Sequence, residues 1–244
     1  DVAPTTLSRK LSGDDLIRGV AALQHRSVEE VIKVAGPSGQ DLGVAYVEAP
    51  VSGIVCGIDI ETTDRDPSRG YIINIGIEFM RLTPTAKPEH PFSSYCGIPE
   101  LYREKGVPLA FVHHISWDDL AGKKPLRQHN KMQRAILATL EMYPFMAHNA
   151  SFEDSWFMMQ IDGYAEARKA GRITPIDTRD ICRRIDPEYK TLPHDSKPAT
   201  LENWARRRGT LKANQKETHL GLEDVDLMFR TVQAEFAERN MFSS

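Results

Sequence analysis

The run Ile54–Val55–Cys56–Gly57–Ile58–Asp59–Ile60–Glu61 carries two carboxylates at the end of one of the most apolar, β-branched stretches of the chain. That density reads as a buried central strand. Side chains on a strand alternate between faces, so Asp59 and Glu61 leave the same face side by side. Unpaired charges there cost far more than a fold can spare. A cation belongs between them, and a divalent metal ion is the natural candidate. Taken alone, the pair reads equally well as a solvent-exposed strand end with two unrelated acids.

A chain of 244 residues, 41% hydrophobic and 27% charged, fits one sizeable globular domain with a filled core. The net charge of −3 does not announce a nucleic-acid binder, although local clusters can still act as one. Cys56, Cys96 and Cys182 lie far apart with no C-x-x-C spacing. This argues against a disulfide framework or a structural zinc site and suits a reducing cytoplasm. The longest apolar runs are strand-sized, so no membrane partner is expected. The expectation is a soluble, cytoplasmic protein.

Residues 1–50 read as an N-terminal helical accessory arm. Ser12 and Asp15 form a capping signal, and Leu16, Val20, Leu23, Val28, Val31 and Ile32 follow at helical spacing. A Gly36–Pro37–Ser38–Gly39 turn ends that section, and Leu42–Val47 reads as a strand. Nothing in the arm carries chemistry, so its use is packing or a protein partner. Residues 51–244 then show strands at 54–61, 71–80 and 92–96, a helix over about 126–141, and a buried strand at 143–147. A helix from Ser151, a strand at 173–177, short helices near 178–185 and 199–208, and a long helix over about 220–239 complete the pattern. Alternating strands and helices predict a mixed α/β sheet covered on both faces.

Three further segments join the first. His148–Asn149–Ala150–Ser151–Phe152–Glu153–Asp154 marks a buried strand giving way to a helix that Ser151 can cap. His219–Leu220–Gly221–Leu222–Glu223–Asp224 opens the last helix, and Arg69 to Gly76 is the hairpin partner of the first strand. Asp-x-Glu-Thr-Thr, Ile-Ile-x-Ile-Gly, His-Asn-Ala-x-Phe-acid and His-x-x-x-x-Asp, in that order, resemble the DEDDh branch of the DnaQ-like 3′→5′ exonucleases. That branch includes the proofreading epsilon subunit of bacterial DNA polymerase III, ribonuclease T and oligoribonuclease. The resemblance covers roughly residues 54–235, and includes Val112 to Ser116 and Ile176–Asp177–Thr178. Two positions depart from the pattern: Glu153 stands where the family has aspartate, with Asp154 in reserve, and His114 replaces a glycine.

The resemblance implies a five-stranded ribonuclease H-like sheet flanked by helices, and hydrolysis of phosphodiesters from single-stranded 3′ ends, most naturally of DNA in replication or repair. Oxygen ligands favour Mg²⁺ or Mn²⁺. Two such ions about 3.5–4 Å apart can clamp an in-line displacement. Asp59, Glu61, Glu153 and Asp224 are the implied ligands. His219 is the implied general base, because an imidazole titrates near neutrality. Thr62, Thr63, His114, His148 and Asn149 are the implied substrate contacts. Outside the motif His148 also reads as a capping or core histidine. Lys123, Lys124, Arg127, Lys131 and Lys212 are candidates to track the strand. Arg206–Arg207–Arg208 reads either as such a contact or as a solvated helix end. Residues 1–50 would serve a polymerase or another protein partner. Two alternatives stand beside this reading: an RNA exonuclease of the ribonuclease T or oligoribonuclease type, and a catalytically weak scaffold module of a replication or repair assembly.

Overall fold

The computed structural model describes residues 49–242. The helix expected over 12–35 and the strand expected at 42–47 lie outside the described residues. Five strands form one mixed sheet: β1 (Ile54–Thr62), β2 (Ile72–Arg81), β3 (Glu89–Tyr95), β4 (Phe145–Ala147) and β5 (Pro175–Asp177), in the order β3-β2-β1-β4-β5. The first three are antiparallel neighbours, and β4 and β5 run parallel to β1. Three one-turn helices, α1 (Tyr102–Lys105), α2 (Ala110–His113) and α3 (Trp117–Leu120), fill the stretch after β3. They are followed by α4 (Asn130–Met142), α5 (Ser151–Gln160), α6 (Tyr164–Lys169), α7 (Thr178–Ile185), α8 (Leu201–Arg207) and α9 (Gly221–Glu238). The sequence pattern anticipates β1 to β5, α4, α5 and α7 to α9 within a few residues, but not α1 to α3 or α6. None of the described helices is long and apolar enough to cross a membrane.

The alternation of β1 divides the core. Cys56, Ile58 and Ile60 pack with α4, α5 and α6 through Ile136, Leu140, Trp156, Phe157 and Tyr164. Val55 faces the other way, into a cluster built from α7, α8 and α9 that includes Trp204, Val225, Phe229 and Phe236. All three cysteines are buried and free of disulfides. Phe152 and Trp156 share a face of α5 as expected, whereas Met159 is exposed.

The placement of α9 depends on three glycines. A methyl group at Gly57 of β1 would meet Val225 Cγ1 at 2.5 Å and the Phe229 ring at 2.6 Å. One at Gly76 of β2 would sit 2.1 Å from the Gly221 carbonyl carbon, and one at Gly221 would sit 2.9 Å from the Asp59 carbonyl oxygen. The first turn of α9 therefore lies directly on the backbones of β1 and β2, which no side chain could allow. The Gly221 N–H also donates to Asn74 Oδ1 at 3.2 Å. Helix and sheet register are locked together at the point where Asp59 leaves β1.

Arg206–Arg207–Arg208 fits neither expectation drawn for it. The Arg208 side chain is 1% exposed and meets Glu188, Glu235, Asp186 and Glu238. Arg207 pairs with Asp186 at 2.5 Å, and Arg206 pairs with Glu202. Glu235 also accepts the Trp204 indole N–H at 2.7 Å. Arg208 ties the end of α8 to α9 and to the segment after α7, and Arg207 ties α8 to that same segment. Arg206 stays within α8 and the loop at Gln215, so all three are structural.

Gly76→Ala is expected to lower folding stability by about 3 kcal/mol, because α9 must lift from the sheet. A urea midpoint equal to that of the unsubstituted protein would contradict this contact.

Candidate metal and nucleic-acid site

Beyond Gly57, the α9 face of β1 changes from apolar to acidic. Val55 and Gly57 lie under the helix, while Asp59 and Glu61 emerge past its N-terminus, opposite Gly76 and Asn74 of β2. Asp224, in the first turn of α9, is brought to them by the glycine contact. Its carboxylate accepts from the Thr218 hydroxyl at 3.3 Å. Carboxylate or imidazole atoms of Glu61, His219 and Asp224 all lie within 4.8 Å of one another.

The second motif resolves into two different roles. Asp154 is buried and accepts from Arg168 Nε at 3.0 Å and from the Tyr164 hydroxyl at 2.8 Å. That ties α5 to α6. Glu153 is also buried, yet its Oε2 has no hydrogen-bond partner. Burial drives its pKa up, and the neighbouring Asp177 and Glu61 add to that. Glu153 therefore faces the acid cluster and Asp154 faces away from it. Ser151 does not cap α5: the N-cap is Ala150, without a side-chain bond, and the Ser151 hydroxyl points to Asn149.

The electrostatics of the group are lopsided. Burial, then Glu153, Glu61 and Asp224, hold the Asp59 carboxyl well above the usual range. Burial pushes Glu61 to about 8, with Asp224 and Glu217 adding to it. Burial likewise lifts Asp224 to about 6, against hydrogen bonds from Thr218. Among the described residues, no lysine or arginine forms an ion pair with Asp59, Glu61, Glu153 or Asp224. Converging oxygens, one of them buried and orphaned, and no resident cation make a donor set that fits hard divalent ions.

Glu217 escaped the sequence reading. It sits beside Asp224, Glu61 and Glu202, and burial raises its pKa to about 8. Its one sequence signal is its place two residues before His219, in a loop with no periodicity. His219 adopts a left-handed backbone (φ 52°), and burial lowers its pKa, so its ring is neutral at pH 7 and can accept a proton.

The expected substrate contacts divide. His148 is not available to substrate: Nε2 donates to the Ala199 carbonyl at 2.9 Å, leaving Nδ1 to accept from the Thr178 hydroxyl at 3.0 Å. Burial lowers its pKa to about 3, so it is a neutral core tie. The Thr62 hydroxyl donates to the Asp64 carbonyl at 2.7 Å, and the Thr63 hydroxyl accepts from the Tyr71 N–H at 2.9 Å. Both side chains are buried and spent on shaping the turn after β1. Asn149, left-handed at φ 86°, accepts from Arg179 at 2.8 Å. His114 is exposed and close enough to His219 to depress its pKa. Its own φ of 56° is the conformation that favours glycine. Its neighbour His113 is buried, with both nitrogens bonded to backbone. Lys123, Lys124, Arg127 and Lys131 are all exposed, and Arg127 reaches the Pro67 carbonyl in the loop that follows β1.

The raised carboxylates fix the sign of a pH effect. Their folded pKa values exceed the unfolded ones. Above about pH 6.5, where the buried His148 no longer differs in protonation from the unfolded chain, and up to about pH 8, the folded chain holds protons that the unfolded chain releases. Metal-free stability therefore falls as pH rises through that window, and Mg²⁺ or Mn²⁺ removes most of the fall by replacing those protons. Thermal melts across pH with and without metal check this; a flat metal-free profile would contradict it. Asp154→Ala is expected to cost about 3–5 kcal/mol by stranding buried Arg168. Glu153→Gln should leave metal-free stability equal or higher and shrink the rise in Tm that Mn²⁺ produces. A Glu153→Gln protein with the full Mn²⁺ response would count against its place in the site.

No protein-family model matches this sequence, and no curated protein matches it. Solved structures do match in fold. E. coli exonuclease I, in a zinc-bound complex with single-stranded DNA, is 12% identical with a TM-score of 0.56, over 78% of this chain and 42% of that one. Another exonuclease I structure gives 15% identity and a TM-score of 0.58, over 78% and 42% of the two chains. A 3′-exonuclease that recognises the 3′ end of a histone mRNA stem-loop is 15% identical with a TM-score of 0.51, over 78% of this chain and 84% of that one. This chain thus spans less than half the length of exonuclease I. What is shared at these identities is the fold: a mixed five-stranded sheet flanked by helices.

Proposed function

We propose that this protein is a metal-dependent 3′→5′ exonuclease releasing nucleoside monophosphates from single-stranded nucleic-acid ends. One observation carries the reading, on a fold shared with exonucleases: Glu61, His219 and Asp224 bring ligand atoms within 4.8 Å of one another, and, after burial, Glu153, Glu61 and Asp224 raise the Asp59 pKa. Among the described residues, no lysine or arginine forms an ion pair with these carboxylates. Residues 51–244 are read as the exonuclease domain and residues 1–50 as an accessory segment available to a protein partner.

Two Mg²⁺ or Mn²⁺ ions held by these four carboxylates would supply Lewis-acid stabilisation of the phosphorane-like charge and lower the pKa of the attacking water. His219, neutral at pH 7, takes the proton from that water as it attacks phosphorus. The bond between phosphorus and the 3′ oxygen breaks, and that oxygen takes a proton from solvent water, freeing a 5′-mononucleotide and a new 3′ hydroxyl. His114, exposed and near His219, and Asn149 are assigned to substrate contact in this reading. The exposed lysines and arginine of 123–131 draw the following phosphates by sequence-blind, salt-sensitive contacts. Glu217, beside Asp224 and lifted by burial to about 8, would supply a further carboxylate once a bound cation displaces its proton.

A second reading concerns the nucleic acid and not the reaction. This chain covers 84% of a 3′-exonuclease that recognises the 3′ end of a histone mRNA stem-loop. That favours RNA as strongly as exonuclease I favours DNA, and parallel digestion of end-labelled DNA, RNA and dinucleotides decides between them.

Purified protein with Mn²⁺ and end-labelled single strands is expected to release mononucleotides progressively from the 3′ end. His219→Ala should lower turnover by roughly 10²–10⁴ while strand binding persists. Unchanged turnover in that variant would reject its role, and no release with any divalent metal would reject the enzyme.

A further inference from the structure

A second acidic feature lies on β2, away from the acids of β1. Glu78 pairs with Gly57 across the β1–β2 ladder, two residues beyond Gly76. It is 7% exposed, its Oε2 is buried without a hydrogen-bond partner, and no arginine or lysine among the described residues pairs with it. It lines a cavity of about 590 Å³ between β2, the first turns of α9 and the 210–218 loop. Glu223 and Asp226 of α9 line the same cavity and raise the Glu78 pKa, after burial. Asp226 already holds Arg230 at 2.7 Å, and Arg230 also reaches the Thr210 carbonyl, so that arginine is not directed at Glu78. Leu211, Leu222 and Leu227 form the apolar part of its wall, and Thr210, Gln215, Thr218 and the exposed Lys216, which makes no ion pair with Glu78, also line it.

A buried carboxylate with no partner signals a missing cation. A bare metal ion does not suit this cavity. Among the described residues, the one group whose ligand atoms converge tightly enough for an ion is Glu61, His219 and Asp224. A cavity this large, with acids at one wall and leucines beside them, instead matches a cation on an aliphatic stem. Such a group lays its methylenes on apolar surface and its charge on carboxylates. We infer that the Glu78 cavity is a binding site for an extended organic cation, an amine or guanidinium on an alkyl chain, with Glu78 and Glu223 receiving the charge and Leu211, Leu222 and Leu227 the stem. Two sources share that chemistry: a free polyamine and a lysine or arginine side chain of a protein. The cavity adjoins the metal acids, since Asp224 and Glu217 close its far wall, while Glu78 itself stands on β2 outside that group.

The test is titration calorimetry on the full chain with saturating Mg²⁺, so that the metal acids are occupied, using spermidine in one arm and a tetralysine peptide in the other. One saturable event is expected, weakened roughly tenfold or more by Glu78→Gln. Glu223→Gln, on the exposed rim, should weaken it in the same direction, while the remote exposed Asp162→Asn leaves it unchanged. Tighter binding of spermidine would identify a free polyamine as the occupant, and tighter binding of the peptide a protein side chain. Glu78→Gln removes a buried unpaired charge, so its melting temperature at pH 8 should equal or exceed that of the unsubstituted protein; this confirms that the variant is folded. No binding in either arm, or binding indifferent to both Glu78→Gln and Glu223→Gln, would overturn the inference. So would a loss of one bound Mn²⁺ per chain in Glu78→Gln, which would make the cavity a metal site.

Discussion

Helix α9 touches β1 and β2 backbone to backbone, and the acid site exists because of that contact. Gly76 and Gly221 leave no room for a single methyl group between them. This closeness sets Asp224 beside carboxylates that leave the sheet more than 160 residues earlier in the chain. A helix held at an ordinary side-chain distance would carry Asp224 and His219 out of reach of Glu61. The same packing brings together acids whose repulsion and desolvation work against the fold. The cost is visible in the upward shifts of Asp59, Glu61, Glu153 and Asp224.

Other parts of the molecule offset that cost. Arg208 collects acids from α9 and the segment after α7, and Arg168 neutralises Asp154 next to the orphaned Glu153. Full burial of Trp156 and Trp204 adds apolar area on either side of the sheet. The contrast is instructive: outside the acid cluster and the Glu78 cavity, most buried charges have a partner of opposite sign. Where the partner is missing, chemistry that needs a cation is the economical explanation.

Much of this was legible in the sequence. The alternation of β1 already placed Asp59 and Glu61 on one face, and the helical period after Gly221 put Asp224 in a first turn. Residues whose meaning depends on distant partners were not legible. Glu153 and Asp154 are adjacent acids on one helix. Only the fold shows that Arg168, fourteen residues on, claims the second and leaves the first. His148 resembles a pocket residue until the Ala199 carbonyl, fifty-one residues away, takes its Nε2–H. Arg208 reads as a solvated helix end because its acids, Asp186 and Glu235, flank it from other elements. The short helices α1 to α3 escaped because four residues cannot display a period. Gly76 and Gly221 were visible as glycines, but the reason for them is a contact between elements far apart in the chain.

Crystals grown with Mn²⁺ and a mononucleotide, measured at the manganese absorption edge, test the central claim most directly. Anomalous peaks are expected among Asp59, Glu61, Glu153 and Asp224, with the His219 ring facing the nucleotide phosphate. Manganese bound elsewhere, with these four carboxylates empty or turned into separate regions, would contradict the account.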